Sequence, residues 1–164
     1  MKVIKAKTAG FCFGVKRAVD TVYKQVDTKC GQIYTYGPII HNEEVIKDMR
    51  DKGVIVLRSE EDLDMISQGT VIIRSHGVEK RIYEKIEQKG LRIVDATCPF
   101  VKKIHNIVSE KSGEGFHIII IGNPEHPEVV GIKGWAKDNV TVIQSAEDAE
   151  CFTCLLYTSD AADE

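Results

Sequence analysis

Short apolar runs alternate with amphipathic stretches along almost the whole chain. The runs are rich in β-branched residues, which favour strands. Seven strands are predicted, at 2–7, 32–36, 54–57, 70–74, 92–96, 116–121 and 140–144. Apolar residues recur at spacings of three and four from Val15 to Val26, which is typical of a helix with one apolar face. Further helices are expected to begin near Asn42, Glu60, Glu79, Pro99 and Pro127. This alternation predicts an α/β protein with mostly parallel sheets.

Composition limits the classes of protein to consider. With 164 residues, 43% of them hydrophobic, the chain is long enough to bury a core as one domain or two small ones. A net charge of −3 gives no reason to expect nucleic acid or an anionic membrane as partner. No stretch is apolar for the length of a membrane span, and the N-terminus lacks the apolar segment of a signal peptide. We therefore expect a cytoplasmic protein, in which five cysteines are more typical of reduced thiols, metal ligands or catalytic groups than of disulfides.

The residues with the most chemical potential are predicted to lie between a strand and a helix. They are Cys12, His41, His76, Cys98 and His126. Open α/β sheets build their sites at this edge, so the five together indicate a functional site, although any one alone could be an ordinary turn residue. Cys98 precedes Pro99 at a predicted helix start, where cysteine is a poor cap. The helix dipole there favours the thiolate, which attacks electrophiles and binds metals.

Two short similarities indicate an internal repeat. "CFGVKR" from Cys12 resembles "CPFVKK" from Cys98, at an offset of 98 − 12 = 86 residues. "GPIIHNEEV" from Gly37 resembles "GNPEHPEVV" from Gly122, at an offset of 122 − 37 = 85 residues. The nearly equal offsets predict two copies of one α/β lobe, each supplying a thiol and a histidine from equivalent turns. We place the first lobe at 1–97 and the second, truncated, at 98–150.

Two equivalent cysteines are an awkward number for metal chemistry. A zinc site could combine them with two histidines, but zinc ligands usually come in close pairs. Iron–sulfur clusters need more than two thiolates, and a third copy of the repeat would place its cysteine near position 184. We expect the uninterrupted gene to encode such a lobe. Residues 151–164 follow neither a strand nor a helix pattern and are interpreted as a non-native tail, so the pair Cys151 and Cys154 is discounted.

Five ordered motifs give the chain a family resemblance. "GFCFGVKRAV", "YGPIIHN", "RSHGV", "DATCPFV" and "GNPEHPEVVG" resemble segments of the 4-hydroxy-3-methylbut-2-enyl diphosphate reductases, the LytB family of isoprenoid biosynthesis. The similarity covers residues 1 to about 150. It implies two of three similar, three-layered α/β lobes arranged as a trefoil around a central [4Fe–4S] cluster. The family's third cysteine and its Ser, Thr and Asn substrate contacts have no counterpart here.

The resemblance also implies a metal site and a reaction. Cys12 and Cys98 match two of the three cluster thiolates, which leaves one iron open for the substrate's hydroxyl group. The family removes that hydroxyl as water with two electrons and two protons, giving isopentenyl and dimethylallyl diphosphate. Ferredoxin or flavodoxin is the implied electron donor. The fragment alone is expected to be inactive.

The diphosphate contacts are carried over in the same way. His41, His76 and His126 match the family's histidines around the diphosphate, and imidazole groups near helix N-termini suit phosphate oxygens. Glu128 matches the proton-relay acid, although without the resemblance the sequence favours a first-turn glutamate stabilised by the helix dipole. Glu43, at the equivalent position of the repeat, is expected to have only that structural role.

Other polar residues are predicted to be structural. They are His105 and His117 as packing or surface residues, Cys30 as a bystander thiol, and Lys16, Arg17, Lys102 and Lys103 as solvated helix faces. Two alternatives to the reductase remain, a non-catalytic phosphate-binding fragment and a zinc-stabilised interaction module. If the duplicated site is real, the two site cysteines and three site histidines should face one cleft that is open and partly apolar on one side.

Overall fold

The described part of the chain contains seven helices and six strands. The computed structural model describes residues 2–28 and 31–152. The helices are α1 Phe13–Thr28, α2 Glu43–Asp51, α3 Glu60–Asp64, α4 Lys80–Gln88, α5 Pro99–Gly113, α6 Pro127–Lys133 and α7 Ala146–Cys151. The strands are β1 Ile33–Tyr36, β2 Ile55–Leu57, β3 Thr70–Ile73, β4 Arg92–Asp95, β5 Ile118–Ile121 and β6 Val140–Ile143. Every strand pair described is parallel, so the predicted α/β class is confirmed.

The first lobe is a three-layered unit around a four-stranded sheet in the order β2-β1-β3-β4. The central strand β3 is buried along its whole length, because side chains of a strand alternate between two covered faces. Ile72 packs with the buried residues of α1 and α2, whereas Val71 and Ile73 pack with those of α3 and α4. This sheet fixes the carboxyl ends of β1, β3 and β4 side by side, at one edge.

The second lobe repeats the first part of this arrangement with two strands, β5 and β6. Helix α5 begins 99 − 13 = 86 residues after α1, and β5 and β6 begin 118 − 33 = 85 and 140 − 55 = 85 residues after β1 and β2. The repeated α/β lobes predicted from the sequence are therefore confirmed. The two sheets lie on either side of residue 97, the predicted lobe boundary, which itself stays a prediction.

The predicted strand at 2–7 is wrong. Val3 and Ile4 are 82% and 80% exposed, and this segment pairs with none of the described strands. Alternation alone does not make a strand, since the backbone N–H and C=O groups also need a neighbouring strand to bond. Cys12 consequently follows an irregular segment, not a strand as predicted.

The sequence interpretation also missed α7. Ser145 accepts a hydrogen bond from the backbone N–H of Asp148, whose carboxylate accepts one from the backbone N–H of Ser145, so a reciprocal capping box starts the helix. Cys151 is the last residue of α7 and is exposed. The predicted tail therefore begins with a helical residue, and its positions from 153 onward, including Cys154, lie outside the described residues.

Candidate functional site

Hydrogen bonds join three turns at the carboxyl edge of the four-stranded sheet. Both the backbone N–H and the hydroxyl of Ser75 donate to the carbonyl of Ile39, at 3.3 and 3.0 Å. The backbone N–H of Cys98 donates to the carbonyl of Ser75 at 2.9 Å. The turns that follow β1, β3 and β4 are thereby fixed next to one another, and each carries one predicted site residue.

Three imidazole rings converge above these turns. The ring centroids of His41 and His76 are 4.7 Å apart, and those of His76 and His126 are 6.5 Å apart with the planes nearly perpendicular. His76 is half-buried between its two exposed neighbours. Three separate segments of the chain therefore bring together the three histidines that the sequence analysis singled out.

The surroundings of His76 favour its neutral form. Burial lowers the pKa of His76 from its usual 6.5, and the neighbouring His41 lowers it further. Arg74 and His126 act in the same direction, whereas the carboxylate of Glu128 raises the pKa. Glu128 therefore lies close enough to the histidines to act on them electrostatically. An anion bound among the rings would act in the opposite direction and raise the pKa of His76.

His126 has a defined ring orientation because it caps α6. Its Nδ1 accepts a hydrogen bond from the backbone N–H of Glu128 at 3.2 Å. In the neutral ring this leaves Nε2 as the N–H group, and the side chain is exposed, so that donor is available to a ligand. Glu128 follows in the first helical turn and is half-buried.

Cys12 and Cys98 occupy equivalent places at the starts of α1 and α5. The carbonyl of each accepts the first helical hydrogen bond, from the N–H of Lys16 and of Lys102 respectively, both at 2.9 Å. The two helix starts touch, because a Cβ added to Gly14 would lie only 2.6 Å from Sγ of Cys98. Cys12 is two residues from Gly14, hence within about 8 Å of it between Cα atoms.

Both cysteines are free thiols, exposed at Cys12 and half-buried at Cys98. The Cys98 thiol makes no capping hydrogen bond, so it is available to a ligand. Within residues 2–28 and 31–152, no three His, Cys, Asp or Glu side chains form a metal site. Two thiolates fit part of the donor set of an iron–sulfur cluster and leave that set incomplete.

Exposed phenylalanines lie beside these cysteines. Phe11 and Phe13 flank Cys12 and are 48% and 67% exposed, and Phe100, two residues after Cys98, is 73% exposed. The surface around the two thiols is thus open and apolar.

Some residues predicted to be structural have more definite roles than the sequence suggested. Arg17 is not a solvated residue as predicted, because its guanidinium donates to the carbonyls of Thr97 and Asp95, at 2.8 and 3.2 Å. It therefore holds α1 against the turn that carries Cys98. Lys102 forms an ion pair with Asp95 at 2.6 Å, while Lys16 and Lys103 are exposed.

The remaining predicted structural residues behave as expected where the structure describes them. His105 is buried, 1% exposed, and its ring stacks on Trp135 with centroids 5.2 Å apart. His117 lies at the surface and bonds the hydroxyl of Thr141 at 2.8 Å. Cys30 lies outside the described residues.

Arg74 is a site residue to which the sequence analysis gave no role, although it stands inside the motif "RSHGV". Its Nε donates to the carbonyl of Gly77 at 3.2 Å, and burial lowers its pKa. Its guanidinium also lies against Gly37, where an added Cβ would be 2.7 Å from Nη1. Arg74 therefore braces both the turn that leads to His41 and the turn of His76. The sequence signal was an arginine directly after the apolar run Val71–Ile73, where an exposed cation is not expected.

Comparison with known proteins identifies the family. A profile described as LytB protein matches residues 3–160. The chain belongs to the LytB family. The match extends ten residues beyond the predicted end of the native sequence at residue 150, whereas three curated relatives align over 151 residues each.

The relatives share one name. The chain is 48% identical over 151 residues to the 4-hydroxy-3-methylbut-2-enyl diphosphate reductase of Caldanaerobacter subterraneus subsp. tengcongensis, covering 92% of this chain and 52% of that protein. It is 50% identical over 151 residues to the protein of the same name from Thermoanaerobacter sp. strain X514, covering 91% and 52%. The chain thus spans about half the length of the curated relatives that it matches.

Solved structures give the same family. The E-1-hydroxy-2-methyl-but-2-enyl-4-diphosphate reductase of Plasmodium falciparum superposes with a TM-score of 0.84 at 32% identity, over 90% of this chain and 46% of that one. The structure of (E)-4-hydroxy-3-methyl-but-2-enyl diphosphate reductase, the terminal enzyme of the non-mevalonate pathway, superposes with a TM-score of 0.75 at 39% identity, over 89% of this chain and 52% of that one. Among the described residues, no helix is long and apolar enough to cross a membrane.

Proposed function

We propose that the chain forms two lobes of a 4-hydroxy-3-methylbut-2-enyl diphosphate reductase and that its three histidines bind the substrate's diphosphate. The convergence of His41, His76 and His126 carries this proposal. Three imidazoles from three segments, with an arginine behind them, form a site for a multiply charged anion. The reductase names of the relatives support the choice of diphosphate substrate.

Each histidine has a defined part in this proposal. The Nε2–H of His126 donates to a phosphate oxygen, since its Nδ1 is already occupied by the Glu128 N–H. His76 is neutral in the free protein and takes up a proton as the anion binds, because a negative charge beside it favours the imidazolium. His41, exposed beside it, supplies a third donor.

Glu128 is the proposed proton donor. It stands in the first turn of α6, half-buried and close enough to His76 to raise the pKa of that imidazole. From this position it can deliver a proton as the substrate's hydroxyl leaves as water. The complete reduction consumes two electrons and two protons, so a carrier such as ferredoxin or flavodoxin must supply the electrons. We also propose a cytoplasmic location, as expected from the sequence.

Cys12 and Cys98 are the proposed ligands of an iron–sulfur cluster, with a third thiolate from a lobe outside this chain. When bound, such a cluster would supply the electrons for removing the hydroxyl group. Cys12 and Cys98 would hold it at the starts of two adjacent helices. Arg17 keeps the two helices together.

Binding of inorganic pyrophosphate to the 164-residue chain tests the anion site directly. His76→Asn and His126→Asn should each raise the Kd for pyrophosphate, measured by calorimetry, by about tenfold or more, since each removes a hydrogen bond to a charged group. The matched control is His117→Asn, an exposed histidine of the second lobe, which should leave affinity within about twofold. Equal affinity in all three variants would refute the proposal.

Anaerobic reconstitution with iron and sulfide tests the thiolates in a protein that also contains the third lobe. Cys98→Ser should lose the cluster's iron, whereas Cys30→Ser, at the thiol predicted from the sequence to be a bystander, should retain it. Pyrophosphate binding without iron would favour the phosphate-binding fragment, and zinc in place of iron would favour the interaction module.

Turnover tests the acid. In that same protein, Glu128→Gln should lower kcat by about a hundredfold or more with a chemical reductant, because an amide cannot deliver a proton. His126→Ala should mainly raise KM. Normal turnover by Glu128→Gln would leave the residue as a helix-terminus charge only.

A further inference from the structure

The turn that carries His76 is held from outside by the second lobe. We call residues 74–79 the His76 turn. The indole N–H of Trp135 donates to the carbonyl of Val78 at 2.9 Å, across the two lobes. Helix α6 also lies directly on this turn, since a Cβ added to Gly131 would be 3.7 Å from backbone atoms of His76, Gly77 and Val78. The second lobe therefore contacts the backbone of the His76 turn through Trp135 and Gly131.

His105 fills the space behind the same turn. Its ring stacks on Trp135, with centroids 5.2 Å apart and planes 18° apart. Its edge lies against Gly77, where an added Cβ would be 2.5 Å from Cε1 of His105. Gly77 has a φ of +72°, so the position requires glycine for its backbone as well as for this close approach. The ring of His105 thus sets how near the His76 turn can come to α5.

The chemistry of His105 indicates a spacer and not a proton carrier. Burial lowers its pKa to about 4, so the ring is neutral near pH 7. Its Nε2 has no hydrogen-bond partner within the part of the chain that the structure describes. A buried Nε2 without a partner passes no proton onward, so the contribution of this side of the ring is its shape.

Trp135 links the turn to the other half of the anion site. His126 caps the start of α6, and Trp135 follows directly after Gly134 at its end. A helix of two turns is rigid along its axis, so fixing Trp135 on Val78 also fixes His126 relative to His76. The 6.5 Å separation of these two imidazoles is the geometry that this link sets.

We propose that the stacked pair of His105 and Trp135 is a positioning device that sets the distance between the imidazoles of His76 and His126. The pair acts on the two imidazoles through the His76 turn and α6. This proposal rests on the proposed function, because the two imidazoles belong to its anion site. Its geometry, however, can be measured without any ligand.

Trp135→Phe in the 164-residue chain is the test, since phenylalanine can still stack on His105 but cannot donate to Val78. The nuclear Overhauser effect between the His76 and His126 ring protons should weaken severalfold or vanish. Calorimetry with inorganic pyrophosphate should show a Kd that is about tenfold higher, because the loss of one hydrogen bond leaves the imidazoles less well positioned. His105→Val, which removes the ring behind Gly77, should change both readouts in the same direction.

Ile86→Ala is the control for a loss of stability alone. Ile86 is fully buried near the C-terminal end of α4, and its truncation leaves His105, Trp135 and their contacts with the His76 turn in place, so it should lower Tm without moving the rings. All variants are compared at a temperature where circular dichroism shows them folded. If Trp135→Phe lowers Tm while both readouts stay as in the unmodified chain, the pair is only structural. If the unmodified chain does not bind pyrophosphate, the proposed function fails, and the Overhauser effect still decides whether the pair positions the rings.

Discussion

The two lobes begin with the same elements but cover their sheets to very different extents. In the first lobe, Ile72 of the central strand is fully buried between two helical layers. In the second, Ile121 of β5 is 84% exposed, although β5 is a run of four isoleucines and thus more apolar than "IYTY" of β1. Burial therefore depends on the neighbours that a strand acquires, here a third and fourth strand, and not on the strand's own composition.

Equivalent positions of α1 and α5 show a second difference. At an offset of 86, the core residue Val19 corresponds to His105, and Gly14 corresponds to Phe100. Where α1 has the buried side chain of Val19, α5 has the buried imidazole of His105. Where α1 has the buried Gly14, α5 has the exposed ring of Phe100. The position is thus used for core packing by Val19 in α1 and for contact with the His76 turn by His105 in α5.

The sharpest test of the first difference truncates one isoleucine in each sheet. Ile72→Ala should cost about 3 to 4 kcal/mol of unfolding free energy, because it leaves a cavity in a core that is closed on both sides. Ile121→Ala should cost less than about 0.5 kcal/mol, since its side chain is already in water. Urea unfolding at pH 7 measures both. Equal costs would mean that β5 is covered in solution.

The buried imidazole gives the second lobe an acid sensitivity that Val19 cannot give the first. The pKa of His105 is about 4 in the folded chain against 6.5 when unfolded, because burial outweighs the attraction of Asp95. The unfolded chain then binds more protons between these values. Stability from this residue is complete above pH 6.5 and declines as pH falls towards 4, by about 3 kcal/mol in all.

His105→Val, which copies the first lobe, should remove that part of the pH dependence. Unfolding free energies measured at pH 7 and pH 4 give the difference for each protein, so a constant packing loss in the variant cancels. His117→Val, at an exposed position, serves as the control and should keep the slope of the unmodified chain. An unchanged slope in His105→Val would mean that the imidazole is hydrated in the folded state.

The comparison also shows which features could be read from the sequence. Strand and helix patterns located six strands and six helices, because buried faces impose a period on the residues that form them. The segment at 2–7 had the alternation but no partner strand, and pairing partners are not encoded locally. The start of α7 was predictable from the Ser145 capping box and was missed.

The site was predictable in part for the same reason. Parallel strands bring their carboxyl ends to one edge, which is why His41 and His76 were expected together. The roles of Arg17 and Trp135 depend on contacts between segments that are 80 and 57 residues apart. No local pattern distinguishes such residues from an exposed arginine or an ordinary core tryptophan.

The contact between the helix starts predicts a smaller effect. Gly14→Ala should destabilise by about 1 to 2 kcal/mol, because the new methyl group meets Sγ of Cys98 at 2.6 Å. Alanine would otherwise favour the helix by about 1 kcal/mol, so the sign of the change is diagnostic. Adding Cys98→Ala should relieve most of the clash, since only Cβ of Cys98, at 3.1 Å, remains close to the new methyl group. Phe100→Ala, the counterpart in α5, should change stability by less than about 0.5 kcal/mol. A stabilising Gly14→Ala would show that the helix starts are further apart.

The smallest expected effect separates structure from function at the two equivalent histidine turns. In the first lobe the cap of α2 is Asn42, whose side chain accepts from the N–H of Val45 at 3.0 Å, and His41 stands just outside the helix. In the second lobe His126 is both the cap and the proposed phosphate ligand.

Asn42→Ala should therefore cost about 1 kcal/mol and leave pyrophosphate affinity within about twofold. His126→Asn should do the reverse, keeping stability within about 0.5 kcal/mol because asparagine caps well, while weakening pyrophosphate by about tenfold. Urea unfolding and calorimetry on the same samples give both quantities. If His126→Asn loses stability and retains affinity, the imidazole serves only as a helix cap, and the duplicated turns do not form a shared anion site.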